Sequence, residues 1–145
     1  MDILEIVAES WGWAGINPVE IVLENEFGNL IIRDMDGKYW RLCPEDLYCK
    51  IVANDRVELD SLLSNQEFLH DWYMKSLVAI AMETYGPLSP GRKYTFVTPG
   101  VLGGAYAIDN IKTVPQSEQV GLSGEIGEKI KDLPDGAKIK LTVSK

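Results

Sequence analysis

Six carboxylates near the predicted strand ends and turns, one histidine and two cysteines are the residues of this chain that could do chemistry. The carboxylates are Glu24, Glu26, Asp34, Asp36, Glu45 and Asp46. Asp34 with Asp36, or Glu45 with Asp46, could be read as an acid–base pair. That work needs a pocket that drives two pKa values apart, and these residues fall in turns that should be solvated. The tract Asp34-Met-Asp-Gly37 is too short for a calcium loop, since no bidentate glutamate follows at the required distance. His70 has Gln66 and Met74 four positions away on either side, both poor metal ligands. With Cys43 and Cys49 it falls short of the four ligands of structural zinc. No serine has a paired base or sits in a Gly-x-Ser-x-Gly elbow. The loop with Gly100, Gly103 and Gly104 resembles a phosphate loop but lacks the Gly-Lys-Ser/Thr ending and a clear following helix. No catalytic, metal or cofactor-binding residue is expected, and no cofactor.

Charge is the stronger signal. The net charge is −8. Residues 1–60 carry 13 Asp/Glu against 5 Lys/Arg, whereas residues 61–145 carry 9 of each. The excess acid therefore lies in the first part of the chain. Such a field repels nucleic-acid backbones and anionic lipid and attracts a basic partner. The six carboxylates are the expected partner-binding residues. Trp11 and Trp13 in a glycine-rich loop, and the loop over residues 99–106, are the next candidate contact surfaces.

The elements that must position these residues follow from pattern. At 145 residues the chain has the size of one domain, spanning 1–145. Its 46% apolar and 25% charged content is that of a soluble globular protein. No apolar run reaches the ~18 residues of a membrane span. The acidic start, Met1-Asp-Ile-Leu-Glu-Ile-Val7, argues against a signal or transit peptide, so a cytoplasmic location and reduced thiols are expected.

A short amphipathic helix is expected near residues 3–9, then a strand over 19–23. A hairpin follows over about 29–43, turning at Asp36-Gly37 through a two-residue type I′ turn. Alternation predicts a strand over 47–52 and a short helix near 57–63. Ser64 and Glu67 form the signature of a capping box. They open a long central helix over about 65–84, with Leu69, Trp72, Tyr73, Leu77 and Ile80 as its buried stripe. Strands over 93–97 and 110–114 come next. A weaker helix over 116–133, broken by Gly121, Gly124 and Gly127, leads through a turn at 134–136 to a last strand over 137–143. The fold class is α+β, with a mostly antiparallel sheet whose hairpin packs on the central helix.

Several blocks carry a family resemblance. They are Phe27-Gly-Asn-Leu-Ile-Ile-Arg-Asp34, Gly37-Lys-Tyr-Trp-Arg-Leu-Cys-Pro-Glu-Asp-Leu47, Asp71-Trp72, Gly91-Arg-Lys-Tyr94, Pro99-Gly-Val-Leu-Gly-Gly104, Tyr106, Asn110 and Leu133-Pro-Asp-Gly136. Together they resemble the family of immunity proteins named for the C-terminal domain of a type VI secretion DNase-effector immunity protein. The resemblance runs over nearly the whole chain. It implies a small cytoplasmic α+β protein that binds and neutralises a cognate antibacterial toxin, and it supplies no catalytic motif. Toxins that act on nucleic acids or nucleotides often have basic clefts, which an acidic surface could occlude. Two other readings stay open: a small nucleotide-binding protein or enzyme using the loop around Gly100 and Gly104, and a regulatory interaction domain of the same fold.

Overall fold

A computed structural model describes residues 2–133. The turn expected at 134–136 and the strand expected over 137–143 lie outside the described residues. Helix α1 (Ile3–Trp11) opens on Asp2, whose carboxylate accepts from Glu5 N at 2.9 Å and so satisfies a free N-terminal donor. The strands β1 (Pro18–Glu24), β2 (Leu30–Asp34), β3 (Tyr39–Cys43) and β4 (Tyr48–Ala53) form an antiparallel sheet in sequence order. Helices α2 (Arg56–Leu63), α3 (Gln66–Tyr73) and α4 (Lys75–Tyr85) follow. A two-stranded antiparallel sheet of β5 (Arg92–Phe96) and β6 (Ile111–Pro115) and the helix α5 (Gln116–Ile130) complete the order. The fold class is α+β.

Alternation along β2 and β3 splits the side chains between two cores. Leu30, Ile32, Trp40 and Leu42 join Val7 and Trp11 of α1 and Val120 of α5 on one face. Ile31 and Tyr39 join Leu59 of α2 and Trp72 of α3 on the other. A third core unites Phe27, Tyr94, Phe96 and Ile111 with Ala81 of α4.

The sequence expectations need correction at four places. The hairpin turn is three residues long rather than two. Gly37 N donates to Asp34 O, Asp34 N donates to Lys38 O, and Gly37 alone takes positive φ, at 79°. The Asp34 carboxylate accepts from the backbone N–H groups of Asp36 and Lys38, which stabilises this wider turn.

The helix expected over 65–84 is two helices. Met74 adopts a left-handed conformation (φ 48°, ψ 41°) between α3 and α4. The interruption resets the helical phase, so Trp72 is buried but Tyr73 and Ile80, placed in one stripe by an unbroken period, are exposed. The cap of α3 is Asn65, not Ser64. Its side chain accepts from Phe68 N, while the Ser64 hydroxyl donates to Asp60 O at the end of α2.

Helix α5 is continuous through Gly121, Gly124 and Gly127. Those glycines face α1 and the turn after it. A Cβ at Gly124 would come within 2.4 Å of Ser10 O, so its absence sets the approach of the two helices. Trp11 closes α1 and is fully buried, donating from Nε1 to Val120 O. Trp13 stacks on it at 5.4 Å and donates from Nε1 to Gly124 O. Trp11 is therefore structural rather than displayed, and Trp13 is half-buried against it.

Candidate partner-binding surface

The pairing of Leu30 with Leu42, and of Leu42 with Cys49, puts the β1–β2 turn and the β3–β4 turn at one end of the sheet. The β2–β3 turn lies at the opposite end. Glu24, Glu26, Glu45 and Asp46 thus share one end, and Asp34 and Asp36 lie at the other, about 15 Å away along a five-residue strand. The six candidate carboxylates do not form one patch.

Two of them are not displayed at all. Asp34 is 5% exposed, and besides its two turn bonds it accepts from Trp40 Nε1 at 2.8 Å. Burial works to raise its pKa, but these three donors outweigh it and hold the carboxyl below its ordinary range. Glu45 is 6% exposed and accepts from Asn29 Nδ2 at 2.9 and 2.8 Å. Burial pushes its pKa up against the opposing pull of Asn29 and Arg41. Glu26 and Asp36 are exposed, and Asp46 is half-buried. Glu24 is exposed but pairs with Lys93 at 2.6 Å.

Glu45 belongs to a network that ties the acidic end of the sheet to the helices. Asn29 donates to Glu45 and accepts from Arg41 Nε at 3.0 Å. The Arg41 guanidinium lies 5.2 Å from the ring of Trp72 and 5.7 Å from that of Phe68, and its Nη1 donates to Asp71 Oδ2 at 2.6 Å. Burial disfavours the Arg41 charge, and the bond to Asp71 together with the surrounding negative field of Tyr48, Cys43 and Asp71 outweighs it, so its pKa is raised. Asn25 secures the helix break above it. Its Nδ2 donates to Trp72 O, and its Oδ1 accepts from Phe27 N and Asn29 N.

A loop closes over this end. Gly100 N donates to Glu45 O, and the Tyr106 hydroxyl donates to both oxygens of Asp46, at 3.0 and 3.2 Å. Asn110 latches the loop by accepting from Thr98 N and donating to Thr98 O and Ala105 O. Gly104 is needed there, since a Cβ would meet Thr98 O at 1.8 Å. The N–H groups of Gly100, Leu102, Gly103 and Gly104 all donate within the protein. A loop whose donors are spent internally cannot cradle a phosphate as a nucleotide loop does.

Between this loop and the α3–α4 junction lies an open cleft of about 220 Å³. Its lining includes His70, Asp71, Met74, Leu77 and Tyr106. His70 is exposed on α3, and among the described residues no group of three or more His, Cys, Asp or Glu could hold a metal ion. Cys43 and Cys49 are buried free thiols. Burial pushes Cys49 up to about 12 and Cys43 further, so neither is a poised nucleophile.

Asn29, Arg41, Glu45, Asp46, Asp71, Tyr106 and Asn110 all lie in the sequence blocks that carry the family resemblance. Spacing alone could not pair them, since Arg41 and Asp71 are 30 positions apart and Asp46 and Tyr106 are 60 apart. A family model described as type VI secretion system immunity protein Tdi1, C-terminal, matches residues 53–127, more than half of the chain. The chain belongs to this family. The match to the immunity family takes in α2, α3, α4, both strands of the small sheet and most of α5. Asp71, Tyr106 and Asn110 therefore lie within the family's matched region, and Arg41 and Glu45 before it. No curated relative matches the chain. No helix among the described residues is long and apolar enough to cross a membrane.

Proposed function

We propose that this immunity-family protein binds a cognate type VI secretion toxin and occludes its active site with the acidic end of the four-stranded sheet. Family membership carries the partner class. The concentration of acid in residues 1–60 supports a toxin with a basic cleft, as expected of one that acts on nucleic acid or nucleotides. Glu26 is exposed at that end, beside the half-buried Asp46 and the exposed Glu24 that pairs with Lys93. The protein performs no turnover and needs no cofactor. Its charge disfavours nucleic acid and membrane surfaces as partners, and it acts in the cytoplasm.

The test is co-expression with the toxin encoded beside it, scored as cell survival, together with co-purification and inhibition of the purified toxin. Protection with a stoichiometric complex is expected. A protein that neither binds nor protects against that toxin overturns the reading.

A further inference from the structure

We propose that Tyr106 is a positioning residue of the toxin contact: its hydroxyl holds the Asp46 carboxylate in the orientation in which it meets the toxin. This rests on the toxin-binding reading above. It adds an uncharged residue, 60 positions from the carboxylate it serves.

The bond holds both carboxylate oxygens at once. The Tyr106 hydroxyl lies 3.0 Å from Asp46 Oδ1 and 3.2 Å from Oδ2, so one proton is shared between them. An ionised carboxylate has about four acceptor sites, and those that the hydroxyl does not use stay open to a donor of the partner. Cys43 Sγ, a weak donor, is 4.0 Å from Oδ2 and adds little hold. Gly100 leaves room for the two side chains to meet. A Cβ there would come within 2.7 Å of the Tyr106 ring and 3.0 Å of Asp46 Oδ1. Burial and the negative charge of Asp46 push the Tyr106 phenol above its ordinary range, so it keeps its proton and donates at neutral pH.

The loop does not need this hydroxyl to keep its place. Asn110 bonds Thr98 twice and Ala105 once, and Gly100 N donates to Glu45 O. The Tyr106 ring packs edge-on against Phe96 at 4.6 Å, a contact that phenylalanine would keep. Tyr106 is half exposed and Asp46 half-buried, and a hydrogen bond so close to water adds little net stability. What the hydroxyl changes is the freedom of Asp46. From Val97 to Ile108 the loop carries no charged residue, so it offers no cation to draw the carboxylate away. A side chain ordered before the partner arrives has less freedom to lose in the complex.

The experiment has two arms. In the first, three-bond NMR couplings to the Asp46 carboxyl carbon report its side-chain rotamer in the isotopically labelled full-length protein, without toxin. One rotamer is expected in the wild type and averaging in Tyr106→Phe. Averaged couplings in the wild type, or a single rotamer kept in Tyr106→Phe, overturn the proposal. In the second arm, Tyr106→Phe is expected to weaken toxin binding by about 2- to 10-fold, the cost of ordering one side chain. In an Asp46→Ala background the same substitution should change nothing. Wild-type affinity in Tyr106→Phe overturns the proposal, and so does an equal loss in both backgrounds, which would place the effect in the loop rather than in Asp46. If the wild-type protein binds no toxin, the toxin-binding reading fails, while the couplings still decide whether Tyr106 fixes Asp46.

Discussion

Asp34 and Glu45 are both carboxylates inside the protein, and their surroundings push them in opposite directions. Asp34 receives Trp40 Nε1 and two backbone N–H groups, so its folded pKa is lowered. Stability from such a group is present above its unfolded value, about 3.9, and is lost as pH falls through the lower folded value. Asp34→Asn should remove part of this acid sensitivity. It should also cost about 1–3 kcal/mol at neutral pH, because the amide cannot accept from all three donors. Urea unfolding at neutral and acid pH checks both effects. Glu45 has a raised folded pKa, so the sign reverses. Between the ordinary value near 4.3 and the raised value the folded state holds the extra proton, and stability falls as pH rises through that window. Glu45→Gln should flatten this fall. A variant whose urea midpoint declines as steeply as wild type as pH rises above the ordinary glutamate value would show that Glu45 is not its source. From the sequence both residues read as displayed turn carboxylates. The side chains that enclose them, Trp40 six positions away and Asn29 sixteen positions away, become neighbours only once the strands pair.

The element scale shows where a sequence pattern is sufficient and where packing overrides it. Strands β2 and β3 are legible because strand-forming residues flank Asp36-Gly37 in short, nearly continuous apolar runs, as burial on both faces requires. Helix α5 was expected to break at its glycines, yet it continues because α1 packs where side chains would otherwise stand. Gly124→Ala places a Cβ against backbone that cannot yield cheaply, and should destabilise by about 1–3 kcal/mol despite the better helix propensity of alanine. A rise in thermal midpoint would show that the α1–α5 contact adapts. The break at Met74 had no local signal, since methionine is a good helix former. It exists because α3 serves the core under β2 and β3 while α4 serves the core under β5 and β6, and one straight helix would not serve both. Asn25 takes the Trp72 carbonyl at the end of α3. Trp72 itself is 3% exposed, packed with Phe68 and covered by Arg41. Trp72→Ala should cost about 3–5 kcal/mol in chemical unfolding, and a loss below about 1 kcal/mol would contradict its place in the core.

At the scale of the whole molecule, acid content was legible in the sequence but its partition between the two ends of the sheet was not. That partition makes the proposed toxin contact directional. The ends lie about 15 Å apart, beyond the Debye length of about 10 Å at 0.1 M salt. A carboxylate at the hairpin tip is therefore largely screened from a partner docked at the other end. Glu24 is already committed to Lys93, so Glu26 and Asp46 should carry most of the attraction at the proposed contact. Glu26→Gln with Asp46→Asn should slow association with the toxin at low salt, flatten its salt dependence and reduce survival in co-expression. Rim charges act mainly on the association rate, so dissociation should change less unless Asp46 is desolvated in the complex. Asp36→Asn removes one charge from the same protein and should alter none of these readouts by a comparable amount. Stopped-flow association at low and high salt separates the cases. If Asp36→Asn slows association as much as the double variant, the toxin docks at the hairpin tip, and the acidic end formed by the β1–β2 and β3–β4 turns is not the contact.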